Sequence, residues 1–257
     1  MAKNSSSLAR SRKALSKQAI SKNARTKPNR RIGQTPPPRK LRRRIDREQI
    51  IKDLKYFSDP DYQQAYSNGR GGRKATAVLG PGIAELARDG FTNAESSALP
   101  KLAMAREAYP HLGLVAGHLL NARFGGIGNA SNNLTILSSS GNRNHQAFDN
   151  PVIQAVGYLY DWYDLLRQSG MNVSNLRFGI EVSILVSKDV WGHQEHDRFI
   201  CKHLTCQANL SGAYPNLNGL LPSGQRKAQD LIHNIILLLD KANDGRPEGR
   251  KVVNTKR

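Results

Sequence analysis

The chain of 257 residues is poor in cysteine, with Cys201 and Cys206 alone, and only 6% of it is aromatic. Two thiols cannot frame a disulfide-stapled secreted domain, which relies on several cross-links to support a small core. There is no run of about 18 apolar residues, so neither a membrane span nor a membrane partner is expected. The longest apolar stretch, Leu231–Leu239, is broken by His233 and Asn234 and reads as a buried helix. The opening MAKNSSSLARSRKALSKQ lacks the apolar core of a secretory signal, although its Ser, Ala and basic content also fits an organellar transit peptide. The expected location is therefore cytoplasmic, or outside the cell by way of a specialised secretion or injection system. The sharpest absence is of acid: residues 1–45 contain no Asp or Glu.

Those same residues carry 15 Lys and Arg, most of the formal net charge of +19. Residues 246–257 add five basic residues against Glu248, whereas positions 46–245 hold 19 basic and 19 acidic residues and are formally neutral. The charge therefore describes two tails around a neutral body, not a basic DNA-binding fold. Residues 1–45, with Thr35-Pro36-Pro37-Pro38 and almost no large apolar side chains, cannot offset their ordering entropy by burial. They read as a disordered tail able to touch phosphates in a salt-sensitive way. Residues 246–257 read as a second basic tail.

Between the tails, residues 46–245 read as one α+β domain. Asp46 caps a helix carrying Ile50, Ile51, Leu54 and Phe57 and ending near Asp59-Pro60. Asn68-Gly69-Arg70-Gly71-Gly72-Arg73 is a glycine-rich loop, but no Gly-Lys-Ser/Thr closes it as a phosphate loop. Helices follow near Gly82–Arg88 and Asn93–Tyr109, then strands at Leu112–Leu120 and Leu134–Leu137 around an Asn/Gly-rich loop. A helix opening at Pro151 runs to about Gln168. The order closes with a β-hairpin from Arg177–Ser187 and Phe199–Leu210 and a helix from Ser223 to about Lys241.

The chemistry concentrates between Gly117 and His145. His118 ends a strand directly after Gly117, whose missing side chain would let a substrate backbone approach. An imidazole titrating near neutrality suits deprotonation of an attacking water. Asn133 opens the next strand. Asn142 lies near a helix start, where its amide oxygen can hold a hard, largely hydrated cation or simply cap the helix. His145, three residues later on the same helical face, is a rival ligand. Arg123 and Arg143 either meet phosphate or are solvated side chains. One base, one metal ligand and nearby cations make a minimal kit for phosphodiester hydrolysis. A second group, His193, His196, Cys201, His203 and Cys206, lacks the common zinc spacings, and alternation along a strand accounts for it better.

The run Ala116-Gly117-His118-Leu119, the loop Arg123-Phe124-Gly125-Gly126, the strand Asn133-Leu134-Thr135-Ile136-Leu137 and the terminal Asn142 resemble the ββα-metal (His-Me finger) unit of the DNA/RNA non-specific endonucleases. The closer likeness is to nuclease domains of bacterial polymorphic toxins and injected effectors, and more distantly to HNH nucleases. The resemblance implies a ββα-metal core at about residues 112–168 and a non-specific, metal-dependent endonuclease acting on DNA, RNA or both through backbone phosphates. It implies His118 as general base, Asn133 as the residue that pins the loop and orients His118, and Asn142 as ligand to Mg²⁺, with Mn²⁺ as an alternative cation. A toxin or effector would have an immunity protein as partner. Two departures stand out. Val115-Ala116 replaces the Asp-Arg or Asp-Ala that many members carry before Gly-His, and Asn150, preceded by Asp149, replaces a glutamate. The other reading is a nucleic-acid-binding protein that uses the finger as a scaffold and the tails for affinity.

Overall fold

Alternating burial along Lys74–Leu79 and Gly179–Val186 makes a sheet with one face covered, and two long helices cover it. The computed structural model describes residues 51–89 and 93–256. In chain order these form β1 (Tyr56–Tyr62), β2 (Lys74–Leu79), α1 (Ile83–Asp89), α2 (Leu102–Ala108), β3 (Val115–His118), β4 (Leu134–Leu137), α3 (Ser139–Gln168), β5 (Gly179–Val186), β6 (His203–Ser211), α4 (Pro222–Asn243) and β7 (Arg250–Val253). The chain is thus α+β. Strands β1-β2-β5-β6-β7 form one antiparallel sheet, and β3-β4 a separate two-stranded hairpin. Among the described residues no helix is long and apolar enough to cross a membrane. The expected basic segment 1–45 and the start of the helix from Asp46 lie outside the described residues.

α3 and α4 lie together against the inner face of the sheet. The stripe Phe148, Val152, Ala155, Val156, Leu159, Trp162, Tyr163 and Leu166 is wholly buried, and each large apolar member contributes about 2 kcal/mol by leaving water. Tyr163 also donates its phenol to the Phe178 carbonyl (2.9 Å) and accepts the Phe178 amide (3.2 Å), fixing the chain where it enters β5. A second apolar cluster, including Leu102, Ala105, Leu114, Leu134, Ile136 and Phe199, lies on the other side of the hairpin.

Three expectations change. The helix from Asp46 does not reach Pro60: residues 51–53 are helical, but β1 begins at Tyr56. Pro60 is tolerated because β1 is an edge strand whose pairing with β2 slips between Ser58 and Asp61. Pro151 does not open a helix but lies inside one, twelve residues after its start. It removes one donor, which leaves the carbonyl of the solvent-exposed Ala147 to water. Buried His145, Phe148 and Asp149 hold the turns before it.

Residues 246–256, read as a basic tail, are built into the fold. β7 pairs with β6, and Val252 is 1% exposed. The β5–β6 hairpin is therefore the centre of a five-stranded sheet, and the helix after it leads into another strand. Beyond β7, Asn254 accepts from the Ser138 amide (2.8 Å) and donates to the carbonyls of Ile136 (3.1 Å) and Cys201 (2.9 Å). Lys256 pairs with Asp197 (3.1 Å), which also accepts from Tyr109 (2.5 Å). Asn254→Ala strands three buried backbone groups, so urea unfolding should show a loss of about 2 kcal/mol or more.

Candidate active site

β4 is buried at all four positions. Leu134 and Ile136 enter the cluster around α2, while Leu137 meets the core between sheet and helices. Its partner β3 places His118 opposite Leu134, at the mouth of the hairpin.

The loop from Leu119 to Asn132 is closed by Asn133, whose side chain is fully buried. Its Oδ1 accepts from the Leu120 amide (2.8 Å), and its Nδ2 donates to the carbonyls of Leu120 (3.1 Å) and Ile127 (3.0 Å). The Asn133 carbonyl also takes the Leu119 amide (2.7 Å). Closure this tight requires glycine at position 126, where a Cβ would stand 1.7 Å from the Leu120 oxygen. From β1, Tyr56 donates to the Phe124 carbonyl (2.5 Å) and ties the loop to the sheet. Burial, then Tyr62 and Asp59, push its pKa up to about 12, so the phenol stays a donor.

The helical side begins with Ser138, whose Oγ accepts from the Gly141 amide (3.0 Å). Ser138 is thus the cap, and Asn142 sits inside the first turns, half-buried. From there Asn142, His145, Gln146 and Asp149 recur at i, i+3, i+4 and i+7, one polar stripe on a helix otherwise apolar on its inner side. With His118 and Asn121 this stripe lines a cleft of about 300 Å³.

Three polar atoms are buried here without a hydrogen-bond partner: His118 Nε2, His145 Nε2 and Asp149 Oδ1. His145 Nε2 and Asp149 Oδ1 stand 3.8 Å apart, beyond bonding distance. Asp149 Oδ2 accepts from Asn121 Nδ2 (2.7 Å). Burial, then the neighbouring His145, hold the His118 imidazole below its ordinary pKa, so it is a neutral base at pH 7. Burial pushes the Asp149 carboxyl up, with His145, the Asn121 bond and Arg123 opposing. Buried polar groups are nearly always satisfied, by protein or by ordered water, so three such atoms on residues lining one cleft set it apart.

The structure brings His118, Asn142 and His145 to one cleft and sets Asn133 beneath it. Arg123 is half-buried beside it, its amide held by Asn121 (2.9 Å) and its charge acting on Asp149. Arg143 is not brought in: one residue on from Asn142, it lies on the exposed flank of α3. Gly117 has a different reason from the expected one. A Cβ there would be 2.4 Å from Leu137 Cδ1, so Leu137 fills the space assigned to substrate. Among the described residues no three His, Cys, Asp or Glu side chains form a metal cage. Cys201 and Cys206 are buried, and burial pushes both thiols up. The Cys201 carbonyl and sulfur both lie at Asn254, and His203 is half-buried on the opposite face of β6 from Cys206.

Asp149 and Asn121 were not among the expected site residues. The signal for Asp149 was its place seven residues after Asn142, on the same helical face, which shows only once α3 is read through Pro151. No protein-family model matches the chain, and no curated protein and no solved structure matches it.

The raised pKa of Asp149 has a consequence for stability. A carboxyl that binds its proton more tightly folded than unfolded costs stability once pH rises above the unfolded value, and the cost is complete above the folded one. Asp149→Asn removes the buried charge yet can still accept from Asn121, so its urea midpoint at pH 7 should exceed that of the parent, with the gain vanishing in acid.

Proposed function

We propose that the cleft hydrolyses phosphodiester bonds of DNA or RNA with the help of a divalent cation, and that β3, β4 and α3 serve as a ββα-metal unit. The observation that carries this reading is the convergence of His118 Nε2, His145 Nε2 and Asp149 Oδ1, buried and unpartnered, on one cleft. An imidazole kept neutral by burial accepts a proton from water as the water oxygen attacks phosphorus. The bond to the leaving oxygen breaks as the new P–O bond forms, and that oxygen takes a proton from solvent. Asn133 does not touch substrate. It closes the loop over the hairpin mouth and fixes the backbone that follows His118.

Asn142 and His145, the oxygen of one and the free nitrogen of the other, would hold the cation, with Asp149 behind them. Mg²⁺ or Mn²⁺ there supplies Lewis-acid polarisation of the phosphate and offsets charge on the leaving oxygen. Backbone phosphates carry no sequence information, so cleavage is expected to be non-specific. A toxin or injected effector with an immunity protein as partner is the biological setting that suits this activity.

Purified protein with Mg²⁺ or Mn²⁺ should degrade plasmid DNA or total RNA, and EDTA should stop it. His118→Ala should lower the rate about 10²–10⁴-fold while leaving binding of an oligonucleotide in EDTA unchanged. Parent protein that leaves both substrates intact over a full titration overturns the proposal in favour of a binding scaffold. The pH profile gives a second check. Because burial holds His118 below an ordinary histidine, the acid limb should lie below that of free imidazole.

A further inference from the structure

The outer face of the five-stranded sheet is half-buried to exposed among the described residues and carries lysines at one end. Lys74, Leu185, Thr205 and Lys251 form one row across four strands by register. The two middle members, Leu185 and Thr205, line a hollow of about 360 Å³ whose other walls include Tyr66, Arg73, Ser187, Lys188 and His203. Arg73 and Lys188 are exposed, and among the described residues no carboxylate lines the hollow. Lys251 and Lys202 add their charge at His203, against Asp189 alone. Guanidinium, ammonium and two hydroxyls around one concavity suit a phosphate group.

The hollow is rigid. Arg70, 3% exposed, donates to the carbonyls of Ser187, Lys188 (2.9 Å) and Asp189 (3.2 Å), so one wall is wrapped around a buried guanidinium. Arg70 and Arg73 both lie over the Tyr66 ring, at 4.7 and 4.6 Å. The loop that carries them is also bonded to the hairpin. Gly71 bridges to Thr135, and the Gly72 amide donates to the Leu134 carbonyl (2.7 Å). Leu134 pairs on its other edge with His118. Gly72 and His118 are therefore about two strand spacings apart, roughly 10 Å.

We propose that this hollow is a second phosphate subsite, holding the backbone of the strand being cut a few nucleotides from the bond at His118. The proposal rests on the nuclease reading for its substrate, but binding tests it separately from cleavage. In the full-length His118→Ala protein in EDTA, Arg73→Gln with Lys188→Gln should weaken binding of a fluorescein-labelled single strand of about 20 nucleotides by about tenfold. The salt dependence of log K should become shallower by about 1 to 2. Arg226→Gln with Lys227→Gln, an equally exposed basic pair on α4, makes the same charge change far along the chain and should leave both unchanged. Equal losses in the two pairs, or none in the first, overturn the subsite.

Cleavage then separates the two proposals. With His118 restored, Arg73→Gln with Lys188→Gln should lower kcat/KM on the long strand about tenfold and spare hydrolysis of bis(p-nitrophenyl) phosphate, which is too short to reach the hollow. Parent protein that cuts neither substrate sinks the nuclease reading while the binding comparison still decides the subsite. A loss on the small diester as well places Arg73 and Lys188 in general support of the fold and overturns the proposal.

Discussion

Everything at the cleft depends on Asn133. A buried asparagine with three protein hydrogen bonds joins the two ends of the Leu119–Asn132 loop at the point where β4 begins. An apolar residue there would leave the Leu120 amide and the carbonyls of Leu120 and Ile127 without partners in a water-free place, a penalty of about 1–3 kcal/mol for each group. The loop is glycine-rich and enters the core through Leu119, Leu120 and Phe124, so a penalty of that size offsets much of what their burial returns. β4 extends the constraint. With apolar clusters on both sides, it cannot shift register without exposing Leu134 and Ile136 or pulling Leu137 from the core. His118 is thus positioned by neighbours that themselves have no freedom.

The C-terminal segment acts on the other half of the cleft. Asn254 sits against the cap of α3: its Oδ1 takes the Ser138 amide, and a Cβ at Gly141 would meet it at 2.5 Å. The first turn of the helix, and with it Asn142, is held by a residue more than a hundred positions away. Tethering Lys256 to Asp197 and Trp191 Nε1 to the Asn254 carbonyl (2.7 Å) keeps that segment in place. Charge alone made these residues look like a tail. Arg246 and Lys251 are exposed and Arg250 is half-buried on the carbonyls of Lys241 and Ala242, along a backbone whose residues Val252 and Asn254 are buried.

Legibility in the sequence followed the strength of local signals. Leu134–Leu137 is read to the residue because three apolar side chains and the β-branched Thr135 stand between Asn133 and Ser138. α4, with its long apolar periodicity, differs by only a residue or two at each end. β1 and β2 were hidden for opposite reasons. Ile51, Leu54 and Phe57 keep helical spacing into β1, and the alanines of β2 are too small to mark a strand. β3 is shorter than its apolar run because Pro110–Leu112 forms a 3-10 turn and Gly113 takes a φ of +55°. Pairing across the sheet decides each of these, and a one-dimensional pattern does not contain it.

The candidate site shows the same division more sharply. His118, Asn133, Asn142 and His145 were legible because each stands at a strand end or helix start where its chemistry can be argued locally. Asp149 was not, because its role comes from burial: a carboxylate inside a helix ordinarily reads as a solvated side chain. Its cost identifies it instead. A fully buried acid whose second oxygen has no partner lowers stability, and folded proteins keep such groups where another requirement outweighs the loss. Two imidazole nitrogens at the same cleft share that condition, so the cost of unpaired buried polar groups is concentrated there.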